Sequence, residues 1–171
     1  MPVPEEFFDV VNERDEPVGR ASRREVHARG LRHRAVHVLV FDHAGRVFLQ
    51  KRSTRKDSSP GCWDSSCSGH VDAGEGYDVA AARELQEELG LSGAAPVRWF
   101  RIAACPETSE EFTWVYRLGS DGPFALNADE IERGEWLAPA EVNQRVAKHP
   151  EEYAPAFRLV WARGFACSMG F

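Results

Sequence analysis

One segment constrains this chain more than any other. Residues 69–91 read GHVDAGEGYDVAAARELQEELGL, and Gly76–Leu89 has helical spacing. Gly90 stands where a helix commonly closes, and Asp78 falls in the first turn, where a negative charge suits the helix dipole. On such a helix Glu84, Glu87 and Glu88 sit at i, i+3 and i+4 and share one face. Val79, Ala82, Leu85 and Leu89 are expected to form the packing stripe opposite them. Neighbouring carboxylates repel, and Arg83 alone does not balance them. Oxygen ligands of this kind suit a hard divalent cation, Mg2+ or Mn2+. Magnesium commonly joins a few carboxylates to substrate phosphates, so the cluster points to phosphate chemistry. For a bare E-x-x-E-E the bland alternative is a solvated surface helix.

The rest of the chain supplies mainly strands. Phe7–Val11 and Val18–Ala21 read as a strand pair, and Ser22 as the N-cap of a short helix over Arg23–Ala28. Ala35–Phe41 and Arg46–Lys51 flank the turn Asp42-His43-Ala44-Gly45, a hairpin with Val47 and Leu49 on one face. Cys62–Ser68 reads as extended; Val97–Ala104, Phe112–Leu118 and Gly134–Leu137 read as strands. A helix is expected from Pro139 to Lys148 and a last one over Tyr153–Ala166. Strands around one central helix, with further helices near the C-terminus, predict an α/β layered fold with a mixed sheet.

Composition narrows the partners. The chain has 171 residues, enough for one domain, and 21 Lys and Arg against 27 Asp and Glu give a net charge of −6. A field of that sign excludes nucleic-acid binding through general electrostatics, so no DNA partner is expected, and phosphates must be held by a local device. Cys62, Cys67, Cys105 and Cys167 form no CxxC pair and read as free thiols. The start, MPVPEEFF, has no leader pattern, and the apolar runs are too short to span a bilayer; a cytoplasmic location without a membrane partner is expected.

Gly69, Glu75, Arg83, Glu84, Leu85, Glu87, Glu88, Gly90 and Leu91 fit the pattern G-x5-E-x7-R-E-U-x-E-E-x-G-U, with U a bulky aliphatic residue. This resembles the Nudix box, the signature of the Nudix hydrolases. The resemblance implies an α/β/α sandwich with a central mixed β-sheet and a loop–helix–loop motif. It divides the chain into an N-terminal extension (1–32), a catalytic core (33–148) and a helical tail (149–171) of a single domain. It also implies that Glu84, Glu87 and Glu88 bind the metal with the backbone near Gly69, and that Arg83 pairs with Glu75. The implied reaction is attack of water on a phosphorus of a diphosphate, with a box carboxylate or a later one as base.

A wider resemblance, from about Val10 to Trp136, is to isopentenyl-diphosphate isomerase, which shares the fold. HRAVHVLVFDHAGRVFLQKRS, the K-x-x-x-P-G-x-W of Lys56–Trp63 and the Cys/Ser-rich strand before Gly69-His70 carry it. It matches His33 and His70 to two metal histidines and Glu111 to a metal-binding, catalytic glutamate; His27 aligns with a third histidine only across a gap. The isomerase's catalytic cysteine position holds Ser68, with Cys67 one residue off and so on the opposite face of an extended strand. Ser109 stands where a further carboxylate is expected. These departures favour the hydrolytic, isomerase-like branch, with the isomerase itself and a non-catalytic ligand-binding module as alternatives.

The expected substrate is a small phosphoanhydride, with a nucleoside di- or triphosphate as the best candidate. Glu87, Glu88, Glu111 and Arg83 are the catalytic candidates. Gly69, Glu84, Glu87 and Glu88 are the candidates for holding Mg2+, and Arg52, Lys56, His33 and His70 for meeting substrate. Arg55 shares the basic loop, Glu107 and Glu110 compete with Glu111, and Glu130 and Glu132 lie where related enzymes place a late carboxylate. Phe100, Phe112, Trp114 and Tyr116 stack on a base or fill the core. The sequence leaves the oligomeric state open.

Overall fold

The structure, a computed structural model, describes residues 4–169, with side chains for 4–166. The chain begins with an antiparallel ribbon, β1 (Phe7–Val11) and β2 (Pro17–Ser22), followed by α1 (Arg23–Arg29). Ser22 caps α1 by accepting from the Glu25 amide, and Gly30 closes it at a φ of 60°, a left-handed conformation that favours glycine. Phe8, Ala21 and Val26 form the small core of this unit.

The main sheet is mixed and seven-stranded. It contains β3 (His33–Phe41), β4 (Val47–Arg52), β5 (Trp63–Asp64), β6 (Cys67–His70), β7 (Val97–Ile102), β8 (Glu111–Gly119) and β9 (Ile131–Leu137). The order is β5-β4-β3-β8-β7, with β6 also on β3 and β9 on β4. β3 and β8 are parallel; the other pairings in this sheet are antiparallel. The β3–β4 hairpin turns where the sequence places it, because Asp42 Oδ1 accepts from the amides of Ala44 and Arg46.

Helices cover both faces. α2 (Tyr77–Leu89) lies over Val36, Val38, Val40, Phe48 and Cys67 through Ala80, Ala81, Leu85 and Leu89. On the other face, α3 (Pro139–Lys148) and α4 (Pro155–Met169) bring Val142, Phe157, Val160 and Trp161 against Leu39, Val47, Leu49 and Val115. This is the α/β/α sandwich expected. Because the sheet is covered twice, β3 is buried along nearly its whole length and reads as a continuous apolar run rather than an alternating one.

Three expectations need correction. The packing stripe of α2 is rotated from the one predicted: Val79 is 62% exposed, and Ala80 and Ala81 are buried in its place. The rotation draws Glu88 into the packed arc, so the carboxylates straddle the boundary between core and opening. On β4, Val47 and Leu49 do share a face, but Phe48 and Gln50 opposite them are buried too, under the α2 layer. β8 begins at Glu111, one residue earlier than read, because Glu111 is in register with His33 on β3. Cys62, Cys67 and Cys105 are free thiols, and Cys167 lies outside the described side chains. Among the described residues no helix is long and apolar enough to cross a membrane.

Candidate active site

A cavity of about 360 Å3 opens between α2, β6, the loop after β4 and the start of α4. Glu84, Glu87 and Glu88 line it, as do Gly69, His70, Arg83 and Glu111 from the motif region and Arg52 and Lys56 from the loop side. Local structure explains each placement. Gly90 ends α2 at a φ of 70°, and its amide and that of Leu91 return to Gln86 and Leu85, so the helix stops one residue past Glu88. Gly69 faces Glu84: a Cβ there would lie 2.1 Å from Glu84 Cδ.

Arg83 organises the loop before α2. Its Nε and Nη2 donate to the two Glu75 oxygens, each at 2.9 Å, the bidentate geometry a guanidinium offers a carboxylate. Nη2 also donates to the His70 carbonyl at 2.9 Å, and Nη1 to Glu84 at 2.7 Å and Glu87 at 3.2 Å. One cation thereby ties β6, the loop and two of the three carboxylates together.

The three glutamates differ in environment. Glu87 is 55% exposed at its side chain and Glu84 12%. Glu88 is 4% exposed, and its Oε2 accepts from Gln50 Nε2 at 2.8 Å and from the Ser68 amide at 3.3 Å. Burial, with the charge of Glu88 added, pushes Glu84 up to about 8; burial pushes Glu88 up to about 7 against the hydrogen bonds from Gln50 and Ser68. Two buried carboxylates with raised affinity for a proton have the same need for a divalent cation, and oxygen-only donors fit Mg2+. Gln50 was missed in the sequence. Its signal was a polar side chain within the apolar run of β4.

A second cluster lies beside the first. One ligand atom each from His27, His33, His70 and Glu111 falls within 4.8 Å of the others. His33 Nδ1 faces the Leu31 carbonyl at 2.8 Å, which places the proton on Nδ1 and leaves buried Nε2 without a hydrogen-bond partner. That bare nitrogen is 3.4 Å from Glu111 Oε1, which is 3.1 Å from His70 Nε2, and His27 Nε2 is 3.3 Å from His70 Nε2. Phe8 stacks on His33 and His70 and closes the cluster from the ribbon side. Burial would raise Glu111, but the facing imidazoles of His33 and His70 hold it well below the usual carboxylate range. Burial and the neighbouring His70 and His33 lower His27. Three imidazoles and a carboxylate form a group that could hold a metal ion, their nitrogen donors suit a borderline ion such as zinc, and the orphaned lone pair of His33 is a donor available to it.

The expected contacts are thus redistributed. His33 is fully buried, does not line the cavity and lies in the histidine cluster; His70 and Glu111 border both. Arg52 is held by Asp64 at 3.1 Å and by Ser58, and Lys56 pairs with Glu130, which also lines the cavity. Arg55 and Glu132 instead pair at the surface with Asp129 and Arg133. Ser68 lines the cavity, whereas Cys67 is fully buried against the α2 layer, where burial raises its thiol well above the ordinary value. None of Phe100, Phe112, Trp114 and Tyr116 lines the cavity: Phe100 and Tyr116 are core residues, and Phe112 and Trp114 lie under Arg101 and Arg98.

Comparison with known proteins bears on this geometry. The family model described as NUDIX domain matches residues 31–160. The uncharacterized Nudix hydrolase YfcD of Escherichia coli is 36% identical over 150 residues, covering 88% of this chain and 81% of that protein. Isopentenyl-diphosphate Delta-isomerase 2 of Photorhabdus laumondii is 30% identical over 160 residues, covering 91% and 90%. The crystal structure of DR0079 from Deinococcus radiodurans superposes with a TM-score of 0.83 at 31% identity, covering 92% of this chain and 98% of that one.

Proposed function

The chain belongs to the NUDIX family as a Nudix hydrolase, and we propose that it cleaves the diphosphate linkage of a nucleoside di- or triphosphate, or a related nucleoside diphosphate derivative, with Mg2+ as cofactor and Mn2+ as a substitute. The observation that carries this reading is the convergence of Glu84, Glu87 and Glu88 with Arg52 and Lys56 on one cavity. Carboxylates for a divalent ion face cations for phosphate oxygens across a space of ligand size. The wall offers hydroxyls and amides, among them Ser58, Ser68 and Asn127, which suit phosphate and ribose oxygens.

Glu84, Glu87 and Glu88, with the backbone at Gly69, would hold the ion. An ion there supplies neutralisation of phosphoryl charge and a more acidic attacking water. The chain's residues do the rest. Arg52 and Lys56 bind the phosphate that becomes the leaving group. Arg83, braced by Glu75, sets the positions of Glu84 and Glu87. Glu87, the most exposed of the three, takes the proton of the attacking water as the P–O bond of the anhydride breaks. His27, His33, His70 and Glu111 would hold a second ion of nitrogen-preferring type; the depressed proton affinity of Glu111 suits a ligand better than a base.

The P. laumondii relative keeps isomerisation as a second reading. Ser68 counts against it: a serine hydroxyl in that cavity position is a poor proton carrier beside a thiol, and Cys67 points into the core. The direct test is release of phosphate, pyrophosphate or a monophosphate product from nucleoside di- and triphosphates and nucleoside diphosphate derivatives as Mg2+ is titrated into chelator-stripped protein. Saturable, metal-dependent release from any of them supports the reading; metal-independent release, or none from all of them, overturns it.

A further inference from the structure

His37 is a buried titratable group for which the hydrolysis above has no use. Its ring is 4% exposed and still forms part of the cavity wall. It lies on the face of β3 shared by positions 33, 35 and 37: His33 serves the histidine cluster, and the small side chain of Ala35 separates it from His37. β3 is otherwise dominated by apolar residues, so an imidazole at this depth needs partners. Nδ1 finds one in Ser65 Oγ at 2.8 Å, with Asp64 Oδ1 3.8 Å away. No hydrogen bond to the described residues engages Nε2, in contrast to the nearby Ser66 hydroxyl, which accepts from the Val40 amide and donates to the Phe48 carbonyl.

The position of the ring gives Nε2 a purpose. On one side His37 is in register with Ser68, whose amide binds Glu88. On the other it bonds Ser65, whose amide donates to Asp64, and Asp64 in turn grips Arg52. The ring is thus linked through Ser68 to Glu88 and through Ser65 and Asp64 to Arg52, and His37, Glu88 and Arg52 all line the one cavity. We propose that His37 is a substrate-binding residue that donates from Nε2 to a non-bridging oxygen of the bound diphosphate. Ser65 Oγ both donates and accepts, so it fixes the ring while leaving Nε2 free to carry the proton. Burial lowers the His37 proton affinity despite Asp64 and Glu111.

This inference rests on reading the cavity as a diphosphate site, and the experiment separates the two. The probe is methylenediphosphonate with Mg2+, which carries two phosphoryl groups and no sugar or base. Its affinity is measured by calorimetry for the unaltered protein, His37→Phe and His37→Gln, and the ring nitrogens of His37 are followed by 15N NMR. We expect His37→Phe to weaken binding roughly tenfold or more, as loss of one hydrogen bond to a charged group does. Gln, which keeps an N–H donor, should recover most of that loss, and the Nε2 resonance should shift on saturation. If His37→Phe fails to fold, the Nε2 shift in the unaltered protein decides. Unchanged affinity in a folded His37→Phe, or an unmoved Nε2 signal at saturation, overturns the role of His37 while the diphosphate reading stands. No binding to the unaltered protein overturns both.

Discussion

Gly69 and Glu84 claim the same space: a Cβ on the glycine would lie 2.1 Å from Cδ of the glutamate. The carboxylate reaches the backbone of β6 because residue 69 has no side chain. Gly69→Ala should push Glu84 out of line with Glu88 while leaving the β3–β6 ladder intact. Metal affinity should fall roughly 10–100-fold, the scale seen when a ligand loses its support. A Mg2+ or Mn2+ titration checks this, with circular dichroism to confirm the fold.

Glu88→Gln should move activity and stability in opposite directions. Glu88 is buried and its proton affinity is raised to about 7, so its ionised form is costly without a cation. A neutral glutamine relieves that cost, and the metal-free variant should melt higher at pH 8, by about 2–4 °C per kcal/mol relieved. Turnover should drop by roughly 10²–10⁴-fold, as loss of a metal ligand or base does. Glu87→Gln should cut turnover similarly, with a small effect on melting because its side chain is 55% exposed.

The same groups set a pH dependence. Glu84 and Glu88 rise from an ordinary 4.5 to about 8 and about 7 on folding. Between pH 4.5 and 8 the folded chain holds protons that the unfolded chain has released, so stability from these groups is present at the acid end and lost as pH rises. The metal-free protein should therefore lose melting temperature from pH 5 to pH 8 relative to a Glu84→Gln/Glu88→Gln double variant. Mg2+ should restore more at pH 8 than at pH 5. A scanning-fluorimetry series with and without Mg2+ reads both differences.

Cys67 tests the alternative chemistry. It is fully buried in the α2-side core beside Glu88 and does not itself line the cavity that Ser68 lines. Cys67→Ala should cost about 1–2 kcal/mol of stability, as a small core truncation does, and leave hydrolysis within about twofold. Loss of activity in a folded Cys67→Ala protein, measured by phosphate release, would return attention to thiol chemistry.

The carboxylate helix and its stop at Gly90 were legible because they rest on local spacing, and the Arg83–Glu75 pair because the resemblance to the Nudix box implied it. The face of α2 was not: Val79 and Ala81 are both apolar, and the surrounding sheet decides which one packs. His27 shows the same limit. It needed a gap to fit any pattern along the chain, yet α1 folds it to 3.3 Å from His70, a contact spanning 43 residues. Gln50 gave a signal that was passed over, a buried amide in an apolar strand, and its partner Glu88 is identified only by the fold.

The most direct test of the account is turnover by the unaltered protein with Mg2+ on a panel of nucleoside di- and triphosphates, sugar nucleotides, dinucleotides, coenzyme A and isopentenyl diphosphate. The account predicts release of phosphate or a monophosphate product from a nucleotide, abolished by chelation. Isomerisation of isopentenyl diphosphate without hydrolysis of any nucleotide would contradict it.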